Sequence, residues 1–186
     1  MAGGRHQLVE GDSVGLVEDI RFPAHGINPP GAETDPIRDT STGLLVFANA
    51  VTNVIVGVAQ MPHGMKFGTL ITPHVHIRAE VGTDPGAGPN NVTSWTFEYK
   101  FYNKDEVTPA LFSSDPKSFT LPAHSGGQPV NYTGNFTPIS SVGKTASSFL
   151  EWRISRLGGS DTYGGGVILL EFDVHYYHSS LGTFSS

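Results

Sequence analysis

Cysteine is absent from the 186 residues. That excludes disulfides, thiolate zinc sites and cysteine nucleophiles together, so stability has to come from packing and from oligomerisation. Long hydrophobic runs are missing too: no span approaches the roughly 20 apolar residues of a membrane helix. The start, Met1-Ala2-Gly3-Gly4-Arg5-His6, has neither the apolar stretch of a signal peptide nor the second-position glycine of a myristoylation site. The expectation is a protein made and kept in a soluble compartment, with no membrane partner. Positive charge is also scarce. Eleven Lys and Arg against 17 Asp and Glu leave a formal net charge of −6, which supplies no basic field for nucleic acid. Helix formers are thin: 15% of residues are charged, and no run of Ala, Leu, Glu, Lys and Gln lasts three turns. No helix is expected anywhere.

What the chain does contain is turn chemistry and alternation. With 23 Gly and 13 Pro and only 38% hydrophobic residues, short strands joined by long loops fit best. Residues 1–42 are polar and broken by Pro23, Pro29, Pro30 and Pro36, apart from the apolar stretch Val14 to Phe22. They are expected to form an extended N-terminal arm that binds a partner through Val14, Leu16, Ile20 and Phe22. Residues 43–186 are expected to form one domain. Leu44 to Ala48 and Asn53 to Gln60 suggest a hairpin. In Pro73 to Val81 the period is two, with Val75, Ile77, Ala79 and Val81 opposite His74, His76, Arg78 and Glu80. Trp95, Phe97, Tyr99 and Phe101 share a face that can supply much of a core. Weaker strands are expected near Lys117 to Leu121 and Val130 to Phe136. Ser148, Leu150, Trp152 and Ile154 alternate with Phe149, Glu151, Arg153 and Ser155. Last, Ile168, Leu170, Phe172, Val174 and Tyr176 are expected opposite Val167, Leu169, Glu171, Asp173, His175 and Tyr177. About eight strands in two antiparallel sheets predict an all-β, jelly-roll-like sandwich, ahead of an immunoglobulin-like one.

Chemistry is concentrated in Gly68-x5-His74-x-His76-x3-Glu80, followed by Gly88, which is close to the first motif of the cupin metal enzymes. Alternation places His74, His76 and Glu80 on one face, as a mononuclear metal centre requires. The pattern departs from the cupin rule at Ala87, where the family has glycine, and its second, histidine-bearing motif is missing. A polar sheet face is therefore expected at these residues, with no cofactor; His175 substitutes for the missing ligand only if the strand register allows it. Asp173 and His175 share a face and His178 does not, and no nucleophile is placed beside them. There is no Gly-x-Ser-x-Gly elbow. Gly143-Lys144-Thr145 has Pro138 where a P-loop has its first glycine, and is expected to be a turn. The sequons at Asn91, Asn131 and Asn135 matter only in a eukaryotic secretory pathway. Trp152, Tyr176 and Tyr177 are weighed as a sugar-stacking platform against core packing, which is preferred.

Three stretches read together resemble small structural proteins of tailed bacteriophages: Ile55 to Phe67 running into Thr72-Pro73-His74-Val75-His76; Ser94-Trp95-Thr96-Phe97-Glu98-Tyr99-Lys100; and the block from Gly143 through Asp161-Thr162-Tyr163 to Leu169-Leu170-Glu171-Phe172-Asp173-Val174-His175-Tyr176. The likeness spans about residues 43–182. It implies a non-enzymatic β-sandwich of the virion, of cement, decoration or head-fibre type. It also implies a homotrimer whose other partners are the major capsid protein or other virion proteins, on the outer surface of a capsid assembled from protein made in the host cytoplasm. It carries no catalytic residue across. A glycan-binding head- or tail-fibre module is the alternative expectation, and a cupin-like metal-dependent enzyme the second alternative.

Overall fold

The computed structural model describes residues 16–179 except 33, 83, 84, 86–89 and 125–128. Among these, the chain forms eleven strands and two single 3-10 turns, with no α-helix. The strands are β1 (Val17–Pro23), β2 (Ile37–Arg38), β3 (Leu45–Phe47), β4 (Thr52–Gln60), β5 (Leu70–Ala79), β6 (Val92–Tyr102), β7 (Ser113–Thr120), β8 (Tyr132–Asn135), β9 (Ile139–Ser140), β10 (Phe149–Leu157) and β11 (Val167–Tyr177).

Every pairing between them is antiparallel. Four of these pairs, β3 with β11, β4 with β10, β5 with β8 and β6 with β7, are the rungs of one long ribbon folded back on itself. Wrapping that ribbon joins β11 to β5 and β10 to β6. The result is one sheet in the order β3-β11-β5-β8, widened by β2, β1 and β9, facing a second in the order β4-β10-β6-β7. Eight principal strands in this order make a jelly roll, as alternation predicts. The expected hairpin of Leu44–Ala48 with Asn53–Gln60 does not form. β3 and β4 lie in opposite sheets, because β3 finds its partners in β2 and β11 and β4 finds its own in β10.

Rings close the space between the sheets. Trp95, Phe97, Trp152, Phe47, Phe136 and Phe172 are buried. Trp152 meets Phe172 at 4.6 Å between ring centroids, Phe97 meets Phe136 at 5.1 Å, and Phe47 meets Trp95 at 5.1 Å. Each such side chain contributes about 1.5–3 kcal/mol by leaving water. Gly57 is needed because a Cβ there would overlap the Trp152 indole.

The expected division at residue 42 does not describe residues 17–23. β3 covers only Val167–Leu169 of β11, and β1 takes up the same edge from Glu171 to Tyr177. Ile20 and Phe22 pack on the core of their own chain, Phe22 lying 5.1 Å from Trp152 and 5.6 Å from Phe172. Of the residues expected to bind a partner, Leu16 is exposed and Val14 lies outside the described residues. Cross-strand pairs fasten β1: Arg21 donates Nε–H and Nη2–H to Glu171 at 2.6 and 2.7 Å, and the Tyr176 hydroxyl donates to Glu18 at 2.6 Å.

One ion pair is fully buried between the sheets. Arg156 of β10 donates to Asp161 at 2.7 Å, to the Phe47 carbonyl of β3 at 2.5 Å and to the Gly165 carbonyl at 2.9 Å, while Asp161 accepts from Ser94 N–H. Burial holds the Arg156 pKa below its ordinary value and the Asp161 pKa above its own, against the attraction of the pair.

Truncating Arg156 to Ala leaves Asp161 buried without its cation and is expected to cost about 3–5 kcal/mol in denaturant unfolding. Burial and the Glu18 carboxylate together push the Tyr176 pKa up to about 12. The neutral phenol is the stabilised form, so the stability it contributes is present below about pH 10, the ordinary tyrosine value, and fades from there as the pH rises through about 12. Ultraviolet titration of wild type against Tyr176→Phe is expected to lose the latest-ionising tyrosine.

Candidate metal centre

Alternation along β5 sends Val75 and Ile77 into the core and turns His74 and His76 to the outer face of the large sheet. β11 does not alternate cleanly. A bulge at Leu170 breaks its register with β5 between Leu169 and Glu171. Val167 and Leu169 therefore face the core together with Phe172, Val174 and Tyr176, whereas uninterrupted alternation predicts them on opposite faces. Past the bulge, His74 lies opposite Asp173, His76 opposite Glu171 and Thr72 opposite His175. On the far side of β11, β1 brings Asp19 opposite His175 and Arg21 opposite Asp173. On the far side of β5, β8 brings Thr133 opposite His76. Four strands thus converge on one polar cluster.

His74 Nε2 and His76 Nε2 are 3.1 Å apart. Both point at Asp173: His76 Nε2 is 3.2 Å from Oδ2, and His74 Nε2 is in close contact with Oδ1. The ligand atoms of the three residues all lie within 4.8 Å of one another. The opposite ring nitrogens are also engaged, His74 Nδ1 with the Thr72 carbonyl at 3.4 Å and His76 Nδ1 with Thr133 Oγ1 at 3.2 Å. The side chains of His74 and Asp173 are 1% and 4% exposed, and that of His76 is 35% exposed, so the cluster opens to solvent through His76. It lies along an open groove of about 350 Å³ bordered by Asp19, Arg21, Asn131 and Glu171. His175 packs against His74 with ring centroids 4.0 Å apart and is held by Asp19 at 3.0 Å. Burial pulls the His74 imidazolium down, but its hydrogen bond and charge pairing with Asp173 outweigh burial and hold its pKa above the ordinary value. Chemically, two imidazoles and a carboxylate can share a proton or hold a divalent cation.

No protein-family model and no curated protein matches the chain. Among solved structures it is similar to the xylan-binding CBM22-1 domain of Paenibacillus barcinonensis Xyn10C, at a TM-score of 0.36 and 10% identity, over 89% of this chain and 97% of that one. It is similar also to dimeric latent PorU from Porphyromonas gingivalis, at 0.37 and 13% over 88% of this chain and 13% of that one. A third similarity is to an arabinose-bound MgGH51 α-L-arabinofuranosidase, at 0.35 and 11% over 86% and 23%. These likenesses bring neither a site nor an activity to this chain.

Of the residues singled out from sequence, His74 and His76 come together and Glu80 does not join them. Glu80 falls beyond the end of β5, its carboxylate beside Gly166 at the other end of the strand pair. Asp173 of β11 takes the third position. Its share of the Glu171-Phe172-Asp173-Val174-His175 alternation is visible in sequence, but its partner on β5 is set by the bulge. Thr133 and Asp19 carry no local signal. Trp152 and Tyr176 are buried and only Tyr177 is exposed, so these three rings form no stacking platform. Gly143 takes a positive φ of 76° in a turn, as expected.

Asp173→Asn removes the charge pairing that opposes burial most, while the Thr72 carbonyl and Asp19 still favour the imidazolium. In metal-free protein the His74 pKa is therefore expected to fall, read from imidazole shifts in an NMR pH titration.

Proposed function

We propose that this chain is a non-enzymatic β-sandwich component of a tailed-phage particle, a cement or decoration protein that forms a homotrimer and stabilises the outer surface of the capsid by binding the major capsid protein. The likeness of residues 43–182 to phage structural proteins supports the setting. The observation that supports assembly is β4. Among the described residues, no strand pairs with its outer edge; only its first residues are tied to the segment beside it, Val54 N–H donating to the Thr34 carbonyl at 3.2 Å and Asn53 Nδ2–H to the Thr34 and Asp35 carbonyls at 3.1 and 3.2 Å. Its outward side chains include Val56 and Val58, which are 38% and 56% exposed.

Thr52–Gln60 contains no charged residue. Proteins that keep such an edge solitary protect it with Lys, Pro or a bulge. The opposite edge of the same sheet, β7, carries Pro116 and Lys117, which are protections of this kind. A residue on a symmetry axis meets its own copies, so an uncharged stripe suits an axis where a charge would face like charges. Each copy then contributes one β4 to the seam, and linking three copies multiplies the affinity of each for the shell through local concentration.

Light scattering of the purified protein is expected to give a trimer. Val56→Lys with Val58→Lys sets like charges together at the seam and is expected to weaken trimerisation by ~10-fold or more, since such contacts cost several kcal/mol. A wild-type protein that stays monomeric and fails to bind capsid shells lacking it would overturn the proposal. Binding to host-surface glycan instead of shells would favour the fibre-module alternative.

A further inference from the structure

We infer that His74, His76 and Asp173 form a binding site for one divalent first-row transition-metal ion, which braces β5 against β11. The case rests on what the cluster's atoms face. The Thr72 carbonyl only accepts, so its contact with His74 Nδ1 favours a proton there, whereas the Thr133 hydroxyl can donate to or accept from His76 Nδ1; a metal bound at Nε2 is compatible with both contacts. The two Nε2 atoms confront one another across 3.1 Å and both confront the Asp173 carboxylate. Asp173 Oδ1 is buried without an aligned hydrogen-bond donor. A proton on one Nε2 pairs only that ring with Asp173, and protons on both set two N–H groups against each other across 3.1 Å. A cation between the three residues satisfies all of them.

Two of the three spacings agree with this reading, while His74 Nε2 and Asp173 Oδ1 lie closer together than two ligands of one ion would. Ligands at roughly 2.0–2.1 Å from a metal stand about 3.3 Å apart in a tetrahedron and about 2.9 Å apart at adjacent octahedral corners. The two Nε2 atoms are 3.1 Å apart, and His76 Nε2 is 3.2 Å from Asp173 Oδ2. Imidazole nitrogen favours zinc, iron, nickel or copper over magnesium or calcium, which take oxygen ligands. Three protein ligands leave positions open on the His76 side, toward the groove with Asn131 and Glu171. His175, packed edge-on against His74 and tied to Asp19, is a positioning residue that fixes the His74 ring.

The test uses full-length protein carrying no histidine tag, stripped with a chelator and titrated with Zn²⁺ by calorimetry and with Co²⁺ by visible absorption. One ion per chain, a Co²⁺ spectrum of nitrogen and oxygen ligation, and a rise in Tm on loading are expected. His76→Ala, at the partly exposed position, is expected to keep its circular dichroism and lose more than about 100-fold in affinity, beyond the 10–100-fold typical of outer partners. Asp173→Asn is expected to bind at least about 10-fold more weakly. Glu80→Gln is expected to bind as wild type. Absent stoichiometric binding, or binding unchanged in His76→Ala, overturns the site. Loss in Glu80→Gln as large as in His76→Ala overturns the ligand assignment.

Discussion

The pairing of β5 with β11 is the constraint on which the rest of the structure depends. These are the two inner strands of the large sheet, and their inward residues, Val75, Ile77, Phe172 and Val174, form one floor of the core. A slip of one residue would turn this apolar set outward and bury the histidines and carboxylates. The bulge at Leu170 reconciles two demands on β11. Upstream, Val167 and Leu169 have to face inward against the wrap of β3; downstream, Phe172 and Val174 have to do the same against Trp152 and Phe97. One extra residue shifts the phase so that both halves are satisfied.

The polar outer face follows from that register. Side chains from β8, β5, β11 and β1 meet in a belt running from Thr133 through His76, His74 and Asp173 to His175, Asp19, Arg21 and Glu171. Burying His74 and Asp173 there is costly unless each is paired. Their mutual contact offsets part of that cost, and the belt fastens β1 to an edge that the short β3 leaves uncovered. β1 in turn delivers Phe22 to Trp152 and so completes the aromatic core. The outer face of the small sheet also carries charge held in pairs, Arg153 with Glu98 at 2.6 Å and Lys100 with Glu151 at 4.0 Å, but that sheet ends in an uncharged, valine-bearing edge strand.

Arg156 ties the two sheets by a different physical route from the rings. Its guanidinium spans from β10 to the backbone of β3 and the segment before β11, with Asp161 neutralising it and Ser94 orienting Asp161. Apolar contacts between sheets are non-directional and tolerate sliding, while this fork of directed bonds has one geometry. It adds a directional constraint to the non-directional contacts of the aromatic cluster.

Sequence by itself determined the all-β class, the positions of the longer strands and the pairing of His74 with His76 on one face, because side-chain direction in a strand depends only on a period of two. Turn composition and a lack of helix formers sufficed for the two-sheet architecture. Tertiary structure alone decided which strands are neighbours. It sent β3 and β4 to different sheets, brought Val17–Pro23 into the sandwich, and replaced Glu80 by Asp173 beside the histidines. The reason is the same in each case. Register and partner choice depend on which apolar faces close over one another across long separations in sequence, and a bulge of one residue, which leaves no unambiguous mark in composition, reverses every side chain beyond it.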